Sequence, residues 1–293
     1  MAGLPSPVGL SVMQNLLRYR FLTIDQFQQL GISCSERYLQ KEIQKLRTGK
    51  TPLLAVQDYG KPKKQGYGRL KRLHWLSSAG ASFLAETGML DNSQLPYLAL
   101  TPPAPPVGDP TGKPRDYDHR ILFIDCHIAI EQALQGAGLD MAFFHAYFDP
   151  LNIKKTALEP AQRMRSMPLA VFGAREFRPD GLFLSFKADG RAIFAALELH
   201  RFRDTGRIYE QLATYGEALA ANTLQNFYDL QFPLRVLTVL DDKGMRDRTR
   251  QRLADDPRFT ELVSYYWFAD QASLFADARI CWIDLNGRNR ALF

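Results

Sequence analysis

The sequence predicts an α/β chain, α+β overall, made of two domains and a linker. Three observations carry this. Helical periodicities fill the first 50 residues and give way to two short strand-like runs. Residues 91–118 then hold seven prolines and follow no helical or strand period. From residue 119 onward strand and helix patterns alternate, which implies a three-layer α/β domain. The expected division is 1–90, a linker over 91–118, and 119–293. Of the 293 residues 46% are hydrophobic and 23% charged, enough to build real cores in both domains, which excludes a chain disordered throughout.

In the first domain, SVMQNLLRYR sets Val12, Leu16 and Leu17 at helical spacing. TIDQFQQLGI places Thr23 three residues ahead of Gln26, a capping box that opens a short helix ended by Gly31. In SERYLQKEIQKLR, Ser35 caps a third helix with the apolar stripe Leu39, Ile43 and Leu46. Arg37, Gln40, Lys41, Gln44 and Lys45 fall largely on its other faces, a polar and basic side. PLLAVQDYG and RLKRLHWLSSAG read as two strands joined by KPKKQGYG, and Ser77 or Ser78 starts a further helix.

Three helices followed by a basic hairpin form the pattern of a winged helix-turn-helix. In that geometry the third helix enters a DNA major groove while Lys61, Lys63, Lys64, Arg69, Lys71 and Arg72 meet phosphates. Tyr67 packs on a sugar or fills the turn. The same fold also serves protein contacts, with a hairpin that is merely solvated. DNA binding is the stronger of the two readings.

The second domain opens with HRILFIDCHIAIEQALQGAG, a long amphipathic helix that carries His119, His127 and Glu131 among its polar members. DMAFFHAYF is a strand, and KKTALEPAQRMR a loop or short helix. EFRPDGLFLSFKADGRAIFAALELHRF reads as two strands around Asp189-Gly190, a strong hairpin signal. DTGRIYEQLATYGEALAA is a helix, FPLRVLTVLDD a central strand and KGMRDRTRQRLADD a basic helix. LVSYYWFA and ARICWIDL add strand character.

Asp180 starts the first strand of that hairpin, and Glu198 lies near the end of the second. Pairing about the turn brings them close. Two carboxylates at the margin of an apolar sheet repel each other and raise one pKa unless a divalent cation screens them. Mg²⁺ needs few protein oxygens, keeps several waters and activates one for attack on a phosphodiester. The plain alternative makes Asp180 a turn residue and Glu198 a solvated strand end.

RPD followed by ELH, with Glu198 18 residues after Asp180, resembles the PD-(D/E)xK nuclease superfamily. The resemblance implies a restriction-endonuclease-like domain in which Asp180 and Glu198 hold Mg²⁺ or Mn²⁺. It puts His200 where those nucleases carry a lysine, so a permanent positive charge is missing there at neutral pH. Gln211 and Tyr215, four apart on one helix face, resemble the QxxxY element that contacts the substrate strand in exonuclease-like branches. His119 resembles a histidine that some branches place near the metal.

The whole order, from winged helix through Pro-rich linker to RPDG and ELHRFRDTGRIYEQLATY, is similar to the replication-relaxation family of bacterial plasmids and mobile elements, and to MobC-type relaxases. That implies binding of double-stranded DNA near an origin, in replication or mobilisation, with metal-dependent nicking of one strand and single-stranded DNA at the nick as a further partner. The alternative is a non-catalytic replication or transcription regulator whose nuclease-like domain is a clamp or homodimer platform.

The 37 Lys and Arg against 31 Asp and Glu, a formal net charge of +6, favour an anionic partner. Cys34, Cys126 and Cys281 are widely spaced and offer no disulfide framework, which points to the reducing cytoplasm. No basic start leads into an apolar run, and no stretch of about 18 apolar residues occurs, so no membrane partner is expected.

Overall fold

The structure, a computed structural model, describes residues 4–61, 68–88, 106, 116–149, 151–152, 167–168, 170–172, 175–187, 189–201 and 205–293. Lys63, Lys64, Tyr67, the KKTALEPAQRMR segment and all of the Pro-rich segment except Pro106 and residues 116–118 lie outside these. The chain divides into two compact units, Met1–Asp125 and Cys126–Phe293.

The first unit starts with α1 (Pro7–Tyr19), where Ser6 caps the helix by accepting from the Gly9 amide and Pro7 occupies its first turn. α2 (Ile24–Gln29) has the reciprocal Thr23–Gln26 capping box. α3 (Glu36–Arg47) is capped by Ser35 and buries Leu39, Ile43 and Leu46, with α1 contributing Val12, Met13, Leu16 and Leu17 to the same core. Arg37, Gln40, Lys41, Gln44 and Lys45 are exposed.

β1 (Leu54–Gln57) and β2 (Leu73–Leu76) form an antiparallel pair, with Leu22 bridged to His74 on the other side of β2. The Ser77-capped α4 (Ser78–Glu86) closes over Leu53: a Cβ on Gly80 would lie 2.1 Å from the Leu53 carbonyl oxygen, so only glycine permits this approach. α5 (Tyr117–Gly136) begins in this unit, with the Tyr117 hydroxyl donating to the Lys71 carbonyl at 2.7 Å and the Gln26 amide to Asp125 at 2.8 Å.

The second unit is built on seven strands: β3 (Leu139–Ala146), β4 (Gly181–Lys187), β5 (Ala192–His200), β6 (Leu234–Leu240), β7 (Tyr266–Asp270), β8 (Trp282–Asp284) and β9 (Asn289–Arg290). Their order across the sheet follows their order in the chain. β5, β6 and β7 are parallel and the remaining neighbours antiparallel, which makes the sheet mixed. Two short pairs, Leu151–Asn152 with Met167–Pro168 and Ala170–Phe172 with Arg175–Phe177, stand apart from it.

α6 (Thr205–Ala220) and α7 (Thr223–Tyr228) cross from β5 to β6, and α8 (Lys243–Ala254) with a 3₁₀ turn (Pro257–Leu262) crosses from β6 to β7. α9 (Gln271–Ala276) follows β7. The register assigns the layers. Phe144, Phe183 and Ala195 lie opposite one another across β3, β4 and β5, and His127 of α5 stacks on Phe144 with centroids 3.5 Å apart. The neighbouring positions face the other way, where Phe143 and Phe194 meet Tyr228 of α7. Side chains alternate between faces along a strand. α5 therefore covers one face and the crossover helices the other, with α6 packed beside α8.

Candidate functional site

β4 and β5 pair Gly181 with Leu197. Carried one step outward, that register sets Asp180 opposite Glu198, and directly opposed residues share a face. Two backbone groups tie the acids across the strands: the Leu199 amide donates to Asp180 Oδ2 at 2.8 Å, and the Asp180 amide to Glu198 Oε1 at 3.4 Å. Asp180 is half-buried and Glu198 is 0% exposed.

α6 supplies two more donors. The Gln211 amide donates to Glu198 Oε2 and the Tyr215 hydroxyl to Glu198 Oε1. One helical turn separates them, so a single face of α6 grips the carboxylate. Tyr215 is itself fully buried, with its ring edge-on to Phe177 at 4.4 Å. His200, two residues beyond Glu198, shares its face of β5 and is buried, opposite Leu240 of β6. Thus Asp180, Glu198, Gln211 and Tyr215 are joined by hydrogen bonds, and His200 lies beside them on the strand. His119 belongs to the first unit, in the first turn of α5.

Burial, and then the Asp180 charge, push the Glu198 carboxyl well above its usual range, against the opposing pull of the donors from Tyr215, Asp180 and Gln211. Burial and the adjoining Glu198 likewise raise the Tyr215 phenol. The sign for stability follows. A raised folded-state pKa means that the native protein holds this proton more tightly than the unfolded chain. The contribution is complete below the ordinary glutamate value of 4.5 and is lost as pH rises through the folded value. Thermal melts taken upward from the ordinary glutamate value of 4.5 should show this decline. Glu198→Gln should flatten it, and a Tm difference between the two proteins that stays constant with pH would contradict the assignment.

Among the described residues no group of three or more His, Cys, Asp and Glu side chains is placed to hold a metal ion. Asp180 and Glu198 are the two carboxylates that would have to hold a divalent ion, and both Glu198 oxygens accept from the Asp180 amide, Gln211 and Tyr215. Mg²⁺ and Mn²⁺ accept two carboxylates with water or phosphate oxygens in the remaining positions.

The first unit carries a second feature, a cleft of about 680 Å³ between α3 and the irregular segment ahead of β2. Arg37, Gln40, Lys41, Gln44 and Arg47 line it from α3, and Arg69, Lys71 and Arg72 from the other wall. Asp25 and Glu36 are the acids in its lining. Asp58 takes Arg69 at 2.5 Å and Arg72 at 2.8 Å, and Lys71 pairs with Asp25. These exposed pairs hold the side chains loosely enough to be exchanged for other anions.

Lys45 is directed elsewhere, to the buried Glu42 at 2.5 Å, and Lys61 is exposed without lining the cleft. The sequence reading missed Arg47 and His74, both in the cleft wall. Helical spacing carries the signal for Arg47, because it extends the Arg37, Gln40, Gln44 stripe by three residues. No local pattern marks His74.

Comparisons with protein-family models, with curated proteins and with solved structures returned no match. The chemistry of both features therefore rests on their own residues.

Proposed function

We propose that the protein binds double-stranded DNA through its first unit, acting as a winged helix-turn-helix. The observation that carries this reading is the cleft, where the exposed stripe of α3 and a wall of arginine and lysine present six basic side chains against two acidic ones. A helix with Arg37, Gln40, Lys41 and Gln44 along one side suits the edges of bases in a major groove, and the opposing basic wall suits phosphates. A role in replication or mobilisation of a bacterial plasmid or mobile element agrees with the motif order.

Full-length protein should bind duplex DNA with an affinity that falls steeply as salt rises, since each neutralised phosphate releases counterions. Arg72→Ala should weaken binding to all sequences and lower the log–log salt slope by about one. Gln44→Ala should instead change which sequences are preferred. Binding insensitive to salt would refute the reading.

For the second unit we propose a restriction-endonuclease-like, metal-dependent nicking site. Asp180 and Glu198 would hold Mg²⁺ or Mn²⁺, and the ion would supply Lewis-acid polarisation of the scissile phosphate. Gln211 and Tyr215 fix the Glu198 carboxylate so that both acids keep one facing. His200, on the same face of β5, offers an imidazole nitrogen to take the proton from the attacking water.

One observation favours a second reading, a non-catalytic regulator. Both Glu198 oxygens already accept from donors of the chain itself, and the carboxylate is closed off from solvent. Relaxation of supercoiled plasmid in the presence of divalent metal separates the two.

A further inference from the structure

His74 is 4% exposed, and among the described residues neither of its ring nitrogens has a hydrogen-bond partner. Leaving a buried polar atom unmet is costly, and buried imidazoles are ordinarily satisfied. The surroundings explain the discrepancy only in part. The ring lies against Phe27 at 6.2 Å, its backbone is fixed on both sides by Leu22 and by Val56 of β1, and the residue forms part of the cleft wall.

The charged groups around the cleft are arranged by sign. Arg47 at the end of α3 and Arg72 ahead of β2 act directly on the imidazole, and with burial, the larger cause, they hold it near 4, so it is neutral in the free protein at ordinary pH. Beyond them lie Arg37 and Lys41 of α3 and Arg69 and Lys71 of the opposite wall, offset by Asp25 of α2 and Glu36 of α3. β1 contributes no charge. Arg47 has no ion pair among the described residues, whereas Arg72 is held by Asp58.

We propose that the cleft holds a phosphate group between Arg47 and Arg72, against His74, and that the imidazole takes up a proton as the phosphate arrives. Burial is the larger reason that the ring is neutral, and the anion offsets the two guanidinium groups that add to it. One N–H of the imidazolium donates to a phosphate oxygen, so one of the two unmet ring nitrogens gains a partner. The source of the phosphate rests on the DNA-binding reading: it is a backbone phosphate of the duplex, which a free phosphate ion would imitate.

The linkage sign is fixed by geometry. Binding raises the pKa of His74, so affinity increases as pH falls, by at most about tenfold per pH unit for one proton.

The test follows the histidine signals of the full-length wild-type protein by NMR. Inorganic phosphate and a short duplex are the two probes, and proton uptake is counted by calorimetry in buffers of different ionisation heat. Both probes should move His74 toward the imidazolium pattern, with uptake of up to one proton that His74→Gln lacks. Duplex affinity of His74→Gln should fall roughly tenfold near pH 6 and less near pH 8. The wild-type measurement needs no variant, so a poorly folded His74→Gln does not remove the test. Duplex binding that leaves His74 and the proton count unmoved overturns the proposal while the DNA reading stands. A response to inorganic phosphate without duplex binding keeps the phosphate site and overturns the DNA reading. Silence of His74 toward both probes overturns the proposal.

Discussion

Asp180→Ala is expected to abolish relaxation of supercoiled plasmid in Mg²⁺ or Mn²⁺ while duplex binding persists. The loss should exceed about 100-fold, because replacing even an outer partner of a metal ligand costs about 10- to 100-fold, and Asp180 would be a ligand. The substitution also removes the acceptor of the Leu199 amide and the charge that repels Glu198. These act in opposite directions on stability, so the variant should remain folded. Asp180→Asn, which keeps the acceptor but not the charge, should be equally inactive. If the wild-type protein leaves plasmid supercoiled with either metal, the nicking site is refuted, and the non-catalytic regulator is what remains.

Gly80→Ala is expected to cost the most stability. The added Cβ would meet the Leu53 carbonyl oxygen at 2.1 Å, its carbon at 3.0 Å and Leu76 Cδ2 at 3.1 Å. Two of these are backbone atoms, and the same oxygen accepts from the Ser77 amide at 3.0 Å, the bond that seats α4. Neither side can yield without breaking that junction. Overpacking of this kind costs about 3 kcal/mol or more, a fall in Tm of more than about 10 °C for a small domain. The neighbouring exposed Ser82→Ala should change stability by no more than about 0.5 kcal/mol. A Gly80→Ala protein that melts like wild type would mean that α4 approaches Leu53 less closely than described.

Local rules were enough for the elements that have local causes. The Thr23–Gln26 box, the Ser35 cap and the turn at Asp189-Gly190 are each set by residues within a few positions, and each is found where the pattern puts it. The hairpin also made the approach of Asp180 and Glu198 readable, because one turn fixes the register. What Gln211 and Tyr215 do was not readable. Their common face follows from their spacing, but that they grip Glu198 depends on how α6 lies on the sheet. α7 and α9 have six residues each, too few to show a helical period or to be helical without tertiary support. Gly80 owes its constraint to Leu53, and the His74 ring owes its state to burial beside Arg47 and Arg72, none of which a local pattern joins to it.

The sheet order carries a kinetic consequence. Asp180 and Glu198 are only 18 positions apart and meet by closing one hairpin, a small loop with a low entropic barrier. Gln211 and Tyr215 arrive only when the crossover helix docks. The short loop favours closing of the hairpin ahead of that docking, so the two carboxylates are expected to repel each other until the Gln211 and Tyr215 donors reach Glu198.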